Sequence, residues 1–231
     1  MQDVDTTITP VSPAGQSRAF VGPRYVRMKR LVDIALTLLL LPILALLLLL
    51  ITIAIKLYSP GPVFYRQQRI GKDGKPFGML KFRSMHVGNN SQIHREHVQR
   101  LIRENIHPVD LGVASLKLKN DPRVTRPGKL LRLLSLDELP QFINVLRGEM
   151  SIVGPRPPLP YEYELYSDWH RRRLNVLPGI TGLWQVTAHN QVSFDEMVQL
   201  DLDYIETMNP WLDLKIIVLT PVEMLRAKGG G

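Results

Sequence analysis

The chain has 231 residues, of which 45% are hydrophobic and 22% are charged, and it contains no cysteine. These figures exclude a disulfide scaffold, a thiolate metal site, cysteine catalysis and a mainly disordered chain. The net charge of +8, taken as an average, suggests a protein that binds nucleic acid or a membrane surface.

The first 23 residues are rich in Pro, Gly, Ser and Thr, which predicts a disordered tail. The positive charge follows directly after this tail. Residues 24–83 contain eleven basic and two acidic residues, a net charge of +9, whereas residues 84–231 contain 17 of each and are neutral. The charge therefore flanks one segment of the chain, which argues against a nucleic-acid binder.

The segment between the basic flanks, residues 34–55, is apolar throughout. It has 22 residues without a charge, and as a helix it would be about 33 Å long, enough for a hydrocarbon core of ~30 Å. It lacks the amphipathic stripe of a soluble surface helix. The segment therefore predicts a membrane helix, with a buried core helix as the less favoured alternative.

Pro42 lies inside this segment and predicts a kink, because it cannot donate to the carbonyl of Leu38. A spanning helix would put the tail and the main domain on opposite sides of the membrane. A re-entrant helix that breaks at Pro42 would keep them on one side. Basic residues on both flanks favour the second arrangement only mildly, so the residues alone leave both open.

Turn and periodicity signals divide the rest of the chain into short elements. We expect a strand at 63–65, a turn at 71–75, a strand at 77–82, an extended segment at 154–158, and helices at 91–106, 130–136, 141–147, 161–173, 194–206 and 211–225. The last helix is apolar but contains charged residues and a proline, so we expect it to pack on the domain or lie in the membrane interface. The fold class is a helix-rich α/β domain on a membrane.

The sequence SLDELPQ at 135–141 places two adjacent carboxylates, Asp137 and Glu138, at a predicted helix start. Ser135 and Glu138 also have capping-box spacing, which is a purely structural alternative. Pro140 disfavours that alternative, because it would fall where the helix needs a backbone donor. An ionised Asp can act as a nucleophile, and a second carboxylate can hold Mg²⁺ or handle a proton.

Basic and turn-rich segments surround this pair. Arginine suits bidentate phosphate binding, and the two prolines beside Arg156 would pre-organise it, although a surface Arg in a proline-bounded loop is the plainer interpretation. The loop PGITGLWQ at 178–185 could form a base or sugar pocket, or a buried turn. The chain has no Walker loop, GxGxxG, HExxH or GxSxG motif, and we expect His94 and His97 to face solvent.

Several segments resemble one family in the same order: SPGPVFYRQQRIG, KFRSM, DPRVTRPGKLLR, SLDELPQFINVLRGEMSIVGPRP, PGITGLWQV and LDLDYIETMNPWLDLKII. Over about residues 25–228 the chain resembles the bacterial sugar transferases, or monotopic phosphoglycosyl transferases, in their short form with the catalytic domain alone. The resemblance implies a tail at 1–23, a re-entrant membrane helix at 24–58 broken at Pro42, a cytosolic catalytic domain at 59–228 and a tail at 229–231. It also implies that the protein lies in the bacterial inner membrane, with its catalytic domain on the cytoplasmic face.

The family reaction transfers a hexose-1-phosphate from a UDP-sugar to undecaprenyl phosphate and releases UMP. The resemblance implies that Asp137 is the nucleophile of a phosphosugar-aspartyl intermediate, and that Glu138 assists Mg²⁺ binding or proton handling. Mg²⁺, held by this pair, is the expected cofactor. The implied substrate-binding residues are Lys81, Arg132 and Arg156 for phosphate, with Gln141, Thr181 and Trp184 as further candidates. The sequence PGITGLWQV favours glucose or galactose.

The chain departs from the family pattern at Leu41, at 133–134 and at 188–190, none of which touches the carboxylate pair. The expected partners are a UDP-sugar, undecaprenyl phosphate and inner-membrane lipids, and we expect no nucleic acid. The sequence does not decide whether the protein forms a homodimer. The alternative function is a catalytically silent scaffold in a polysaccharide assembly complex. The intact pair of carboxylates argues against it, because a silent relative has no chemical need for both.

Overall fold

The computed structural model describes residues 22–58, 60–85, 92–105, 124–188 and 192–226. Its helices are α1 (Pro23–Tyr58), α2 (Gln92–Glu104), α3 (Arg126–Leu133), α4 (Gln141–Arg147), α5 (Pro160–Tyr163), α6 (Asp168–Arg171), α7 (Leu183–Thr187), α8 (Phe194–Thr207) and α9 (Pro210–Arg226). Its strands are β1 (Phe64–Ile70), β2 (Pro76–Phe82), β3 (Ser151–Val153) and β4 (Gly179–Thr181). Short 3-10 turns occupy Lys72–Gly74, Leu136–Glu138 and Arg172–Asn175. The described part is helix-rich with few strands, as the sequence predicts.

Helix α1 is long and apolar enough to cross a membrane. Its most apolar 18-residue window has a mean hydropathy of 3.2 and is only 11% buried, which is unlike the core helix of a soluble protein. The helix is continuous through Pro42, and Pro23 already begins it. Of the tails predicted at 1–23 and 229–231, the structure describes only Gly22 and Pro23, and the other residues lie outside the described part.

Both ends of α1 pack against the same domain. Near the N-terminus, the buried Asp33 accepts hydrogen bonds from Ser151 Oγ at 2.7 Å and from Ile152 N at 3.2 Å. Near the C-terminus, Ile51 and Ile55 are buried in a small apolar cluster with residues of β2 and α3. The middle of the helix exposes most of its leucines and isoleucines. The helix is therefore anchored to the domain at two separated points.

Polar contacts strengthen the N-terminal anchor. Lys29 Nζ donates to Asp213 Oδ2 of α9 at 2.7 Å, and Tyr25 donates to the same oxygen at 2.9 Å. Arg30 donates to the carbonyls of Val145 and Leu146 in the last turn of α4. A cation there satisfies carbonyls that the helix leaves without partners.

Strands β1 and β2 form an antiparallel hairpin in which Tyr65 lies opposite Lys81. The outer edge of β2 is covered by the fully buried Asn144 of α4. Its side chain accepts from Leu80 N at 2.9 Å and donates to Gly78 O at 2.9 Å, and so imitates a neighbouring strand. This contact fixes α4 against the hairpin.

The main hydrophobic core lies among α4, α7, α8, α9 and the parallel pair β3–β4. Arg173 and Asp201 form an ion pair inside it, and both side chains are almost completely buried. Burial by itself lowers the pKa of Arg173, but the Asp201 carboxylate beside it reverses that effect and holds the pKa raised.

The structure corrects three expectations about local elements. The helix expected at 161–173 is divided into α5, α6 and a 3-10 turn, because Ser167 caps a new helix by accepting from His170 N. The helix expected at 130–136 is α3, which begins at Arg126 because Thr125 accepts from Gly128 N at 3.0 Å. The strand expected at 63–65 extends to Ile70.

The expected helices at 141–147 and 194–206 are confirmed within one residue at each end. The expected helices at 91–106 and 211–225 correspond to α2 and α9. Helix α4 ends at Gly148, whose φ of +80° supplies the left-handed residue that commonly terminates a helix.

Candidate active site

Asp137 and Glu138 lie in the 3-10 turn Leu136–Glu138, here called the Asp137 turn. Ser135 precedes it with φ +53° and makes no side-chain capping bond, so the capping-box alternative is wrong. The turn is also separate from α4, for which Pro140 is the N-terminal cap residue. The helix start that the sequence predicts at the pair is therefore corrected to a 3-10 turn that precedes α4.

The Asp137 turn is held between helix α1 and the hairpin. Leu136, and Leu139 just after the turn, pack against Ile51, Ile55, Phe82 and Leu131, here called the junction cluster. Asp137 is buried at this position, with 8% of the residue exposed. The packing places the pair next to the C-terminal part of α1.

Lys81 provides a positive charge at the pair. Its Nζ lies 3.0 Å from Glu138 Oε1, and the two side chains are 19% and 28% exposed. Lys81 is the penultimate residue of β2, which Asn144 fixes against α4. The structure thus brings together three of the predicted site residues, Lys81, Asp137 and Glu138.

Arg132 is in α3, which packs directly against the Asp137 turn. Its Nη1 is buried and has no hydrogen-bond partner among the described residues. A buried guanidinium nitrogen without a partner is unfavourable unless it meets an acceptor. This geometry fits the predicted role of Arg132 in binding a phosphate.

Arg156 lies in the segment 154–158, whose prolines provide no backbone donors. The neighbouring strands supply them. Gly179 N donates to Pro155 O at 2.9 Å, and Ile70 N donates to Pro158 O at 2.9 Å. Arg156 is half-buried between these two fixed points.

Arg69 is a charged residue of this region that the sequence analysis did not single out. It is 3% exposed and donates to Pro157 O at 2.9 Å. Burial and the nearby charge of Arg156 lower the pKa of Arg69 to about 10, so it stays protonated at neutral pH. Nothing in the sequence distinguishes Arg69 from the other basic residues of the hairpin.

The three remaining candidates are buried in the domain. Gln141 is buried at the start of α4, and Thr181 shares a 2.8 Å hydrogen bond with Thr220. Trp184 is 2% exposed in the main core, and its Nε1 has no partner among the described residues. This burial favours the buried-turn interpretation of 178–185, and roles for these three residues in substrate binding stay predictions.

The carboxylate pair fits Mg²⁺ in the chemistry of its donors. Mg²⁺ sites often use one or two carboxylates and take their other ligands from substrate phosphates and water. Over the described ranges, no cluster of three or more His, Cys, Asp or Glu side chains could hold a metal alone. The side chains of His94 and His97 lie outside the described part. Asp137 and Glu138 would therefore hold the ion together with the substrate.

Comparison with known proteins agrees with this arrangement. Residues 24–227 match the family model described as bacterial sugar transferase. The chain is 45% identical over 170 residues to a galactosyl transferase, CpsE, of Streptococcus agalactiae, covering 73% of this chain and 36% of the relative. It is 42% identical over 201 residues to the UDP-glucose:undecaprenyl-phosphate glucose-1-phosphate transferase of Escherichia coli, covering 84% and 39%.

The chain thus spans less than two fifths of the length of these two relatives. It is also 40% identical over 201 residues to the exopolysaccharide production protein ExoY of Rhizobium meliloti, and here the match covers 87% of each chain. The family model extends over nearly the whole described part, and the chain therefore belongs to the bacterial sugar transferase family.

Proposed function

We propose that this protein transfers a hexose-1-phosphate from a UDP-sugar to undecaprenyl phosphate and releases UMP. The observation that carries the proposal is the buried Asp137 beside Glu138 and Lys81, in a chain of the bacterial sugar transferase family. The names of the relatives from E. coli and S. agalactiae support glucose or galactose as the sugar. The name of the R. meliloti relative supports a role in exopolysaccharide synthesis.

Asp137 is proposed as the nucleophile. Its carboxylate oxygen forms a bond to the sugar-bearing phosphorus, the bond from that phosphorus to the bridging oxygen of the diphosphate breaks, and UMP leaves with the bridging oxygen. An oxygen of undecaprenyl phosphate then attacks the same phosphorus, which restores the carboxylate of Asp137 and yields the lipid-linked sugar. Two such displacements give ping-pong kinetics.

The predicted phosphate-binding cations suit the charge of this reaction. Lys81, Arg132 and Arg156 would contact phosphate oxygens and stabilise negative charge, most strongly where water is excluded. Lys81 also orients Glu138 through their 3.0 Å contact. Mg²⁺, when bound, would neutralise charge on the diphosphate and assist departure of UMP. Removal of Mg²⁺ with EDTA should abolish transfer, and added Mg²⁺ should restore it.

The test of the reaction is a transfer assay with UDP-glucose and UDP-galactose labelled at the β-phosphorus. The wild-type protein should release UMP without acceptor, retain acid-precipitable label, and lose that label when undecaprenyl phosphate is added. Asp137→Asn should lower transfer by on the order of 10³-fold or more. Asp168→Asn, at an exposed position on α6, is the matched control and should behave as wild type. Full activity of Asp137→Asn would exclude it as the nucleophile.

The membrane topology proposed for α1 is re-entrant, with a bend at Pro42 within the continuous helix and both ends at the cytoplasmic face. The support is that Asp33 and Ile55, near opposite ends of the apolar segment, both pack on the same polar domain. Because the chain has no cysteine, single cysteines can replace Arg24 and Leu57, which are exposed at the two ends of α1. A membrane-impermeant thiol reagent should label neither in intact cells and both after permeabilisation. Labelling of only one of the two in intact cells would indicate a spanning helix.

A further inference from the structure

The segment 154–158 has few backbone donors of its own, because Pro155, Pro157 and Pro158 have no N–H. The hydrogen bonds to its carbonyls are therefore donated by other elements. Gly179 N donates to Pro155 O, the carbonyl just before Arg156. The residue after Arg156 is Pro157, and its carbonyl accepts a hydrogen bond from a side chain.

That donor is the guanidinium of Arg69, at the end of β1. Arg69 Nη1 donates to Pro157 O at 2.9 Å, and its Nη2 donates to Gln67 Oε1 at 3.1 Å. The next residue of β1, Ile70, donates from its backbone to Pro158 O. The end of β1 thus holds the two residues that follow Arg156, while β4 holds the residue that precedes it.

A neutral donor could make the bond to Pro157, so the charge of Arg69 needs a separate reason. In the part of the chain that the structure describes, no carboxylate forms an ion pair with Arg69, and its Nε is buried without a hydrogen-bond partner. A buried cation without a directly paired carboxylate is unfavourable for folding. Besides burial, the charge of Arg156 lowers the pKa of Arg69, whereas Glu162 and, less strongly, Glu138 raise it and offset part of this cost. The charge of Arg69 becomes useful when an anion binds close by.

We propose that Arg69 is a positioning residue for the donor diphosphate: it fixes the segment that carries Arg156, and its charge adds to the attraction for the anion. This inference rests on the proposed function. Arg69 acts through Arg156 and touches neither the reacting phosphorus nor the lipid acceptor. Its effect therefore belongs to the half-reaction of the UDP-sugar.

The first test compares kcat/KM for the two substrates in the full-length protein, since ping-pong kinetics assigns each value to its own half-reaction. Arg69→Gln should lower kcat/KM for the UDP-sugar by about 10- to 100-fold, because the shorter, neutral side chain loses both the reach to Pro157 O and the positive charge. It should leave kcat/KM for undecaprenyl phosphate close to wild type. Arg66→Gln, at an exposed position of the same strand, is the matched control and should change neither.

An equal fall of both values in Arg69→Gln would indicate a loss of folded enzyme and would overturn the inference. If Arg69→Gln does not fold, Arg69→Lys and Arg69→Ala replace it. Arg69→Lys should retain part of the UDP-sugar kcat/KM, and added guanidinium should raise that of Arg69→Ala. A lack of rescue, with Arg69→Lys inactive towards both substrates alike, counts against the inference.

The second test is a double-mutant cycle with Arg156. If Arg69 acts through Arg156, adding Arg69→Gln to Arg156→Gln should reduce the UDP-sugar kcat/KM much less than it does in the wild type. Fully additive losses would overturn the inference. A wild-type protein that releases no UMP would instead contradict the proposed function, so the two failures are distinguishable.

Discussion

Asn144 joins helix α4 to the hairpin that carries Lys81, and its replacement tests how the site is held. The residue is fully buried and makes three hydrogen bonds, to Leu80 N, to Gly78 O and to the carboxylate of Glu149. Asn144→Ala removes all three. It leaves the N–H of the partly buried Leu80 and the carbonyl of the buried Gly78 without their partners.

The magnitude follows from those two backbone groups. An unsatisfied buried donor or acceptor costs about 1–3 kcal/mol, so we expect a loss of about 2–6 kcal/mol in the free energy of unfolding. For a chain of this size that corresponds to a decrease in Tm of about 5–20 °C. A water molecule that entered the vacated space would move the result towards the lower end of both ranges.

Thermal and urea unfolding in detergent micelles, followed by tryptophan fluorescence, measures this change. Gln199→Ala is the control, because Gln199 bonds Asp203 on the exposed surface of α8 and its loss should change the free energy by less than about 0.5 kcal/mol. A free energy for Asn144→Ala within about 1 kcal/mol of wild type would refute the reasoning, because it would mean that the edge of β2 is solvated.

Three further predictions concern the cation at the site, the buried ion pair and the tight segment. Lys81→Met should reduce UMP release by about 100- to 1000-fold with little change in Tm, because its half-buried contact with Glu138 contributes little to folding; activity close to wild type would exclude Lys81 from the site. Asp201→Asn should destabilise the fold by about 3–5 kcal/mol, since the Arg173 charge stays buried without its partner. Urea unfolding at neutral pH measures this loss, and a clearly smaller value would mean that solvent reaches Arg173. Gly154→Ala should abolish activity and stable folding together, because its Cβ would lie 2.5 Å from a backbone oxygen, and a folded, active variant in the transfer assay would contradict the close packing.

Local sequence signals predicted those elements whose boundaries have a local cause. Gly148 ends α4 where the sequence placed the end, because a left-handed residue terminates a helix whatever surrounds it. The division at Ser167 was missed, since the aromatic spacing on both sides of it suits one continuous helix while the capping bond depends on the local turn. The helix start expected at Asp137 is a separate 3-10 turn instead, because Leu136 and Leu139 pack on the junction cluster.

The sequence by itself determined that one helix is long and apolar enough to cross a membrane, and it predicted the candidate chemistry. An uncharged run of 22 residues between basic flanks requires an apolar environment, and the adjacent Asp137 and Glu138 are reactive groups wherever they lie. Only the tertiary structure decided which distant groups serve them. Arg69 meets Pro157 across 88 residues, and Asn144 meets Leu80 across 64. A hydrogen bond depends on proximity in space, and the spacing of residues along the chain does not encode which buried donor will find which carbonyl.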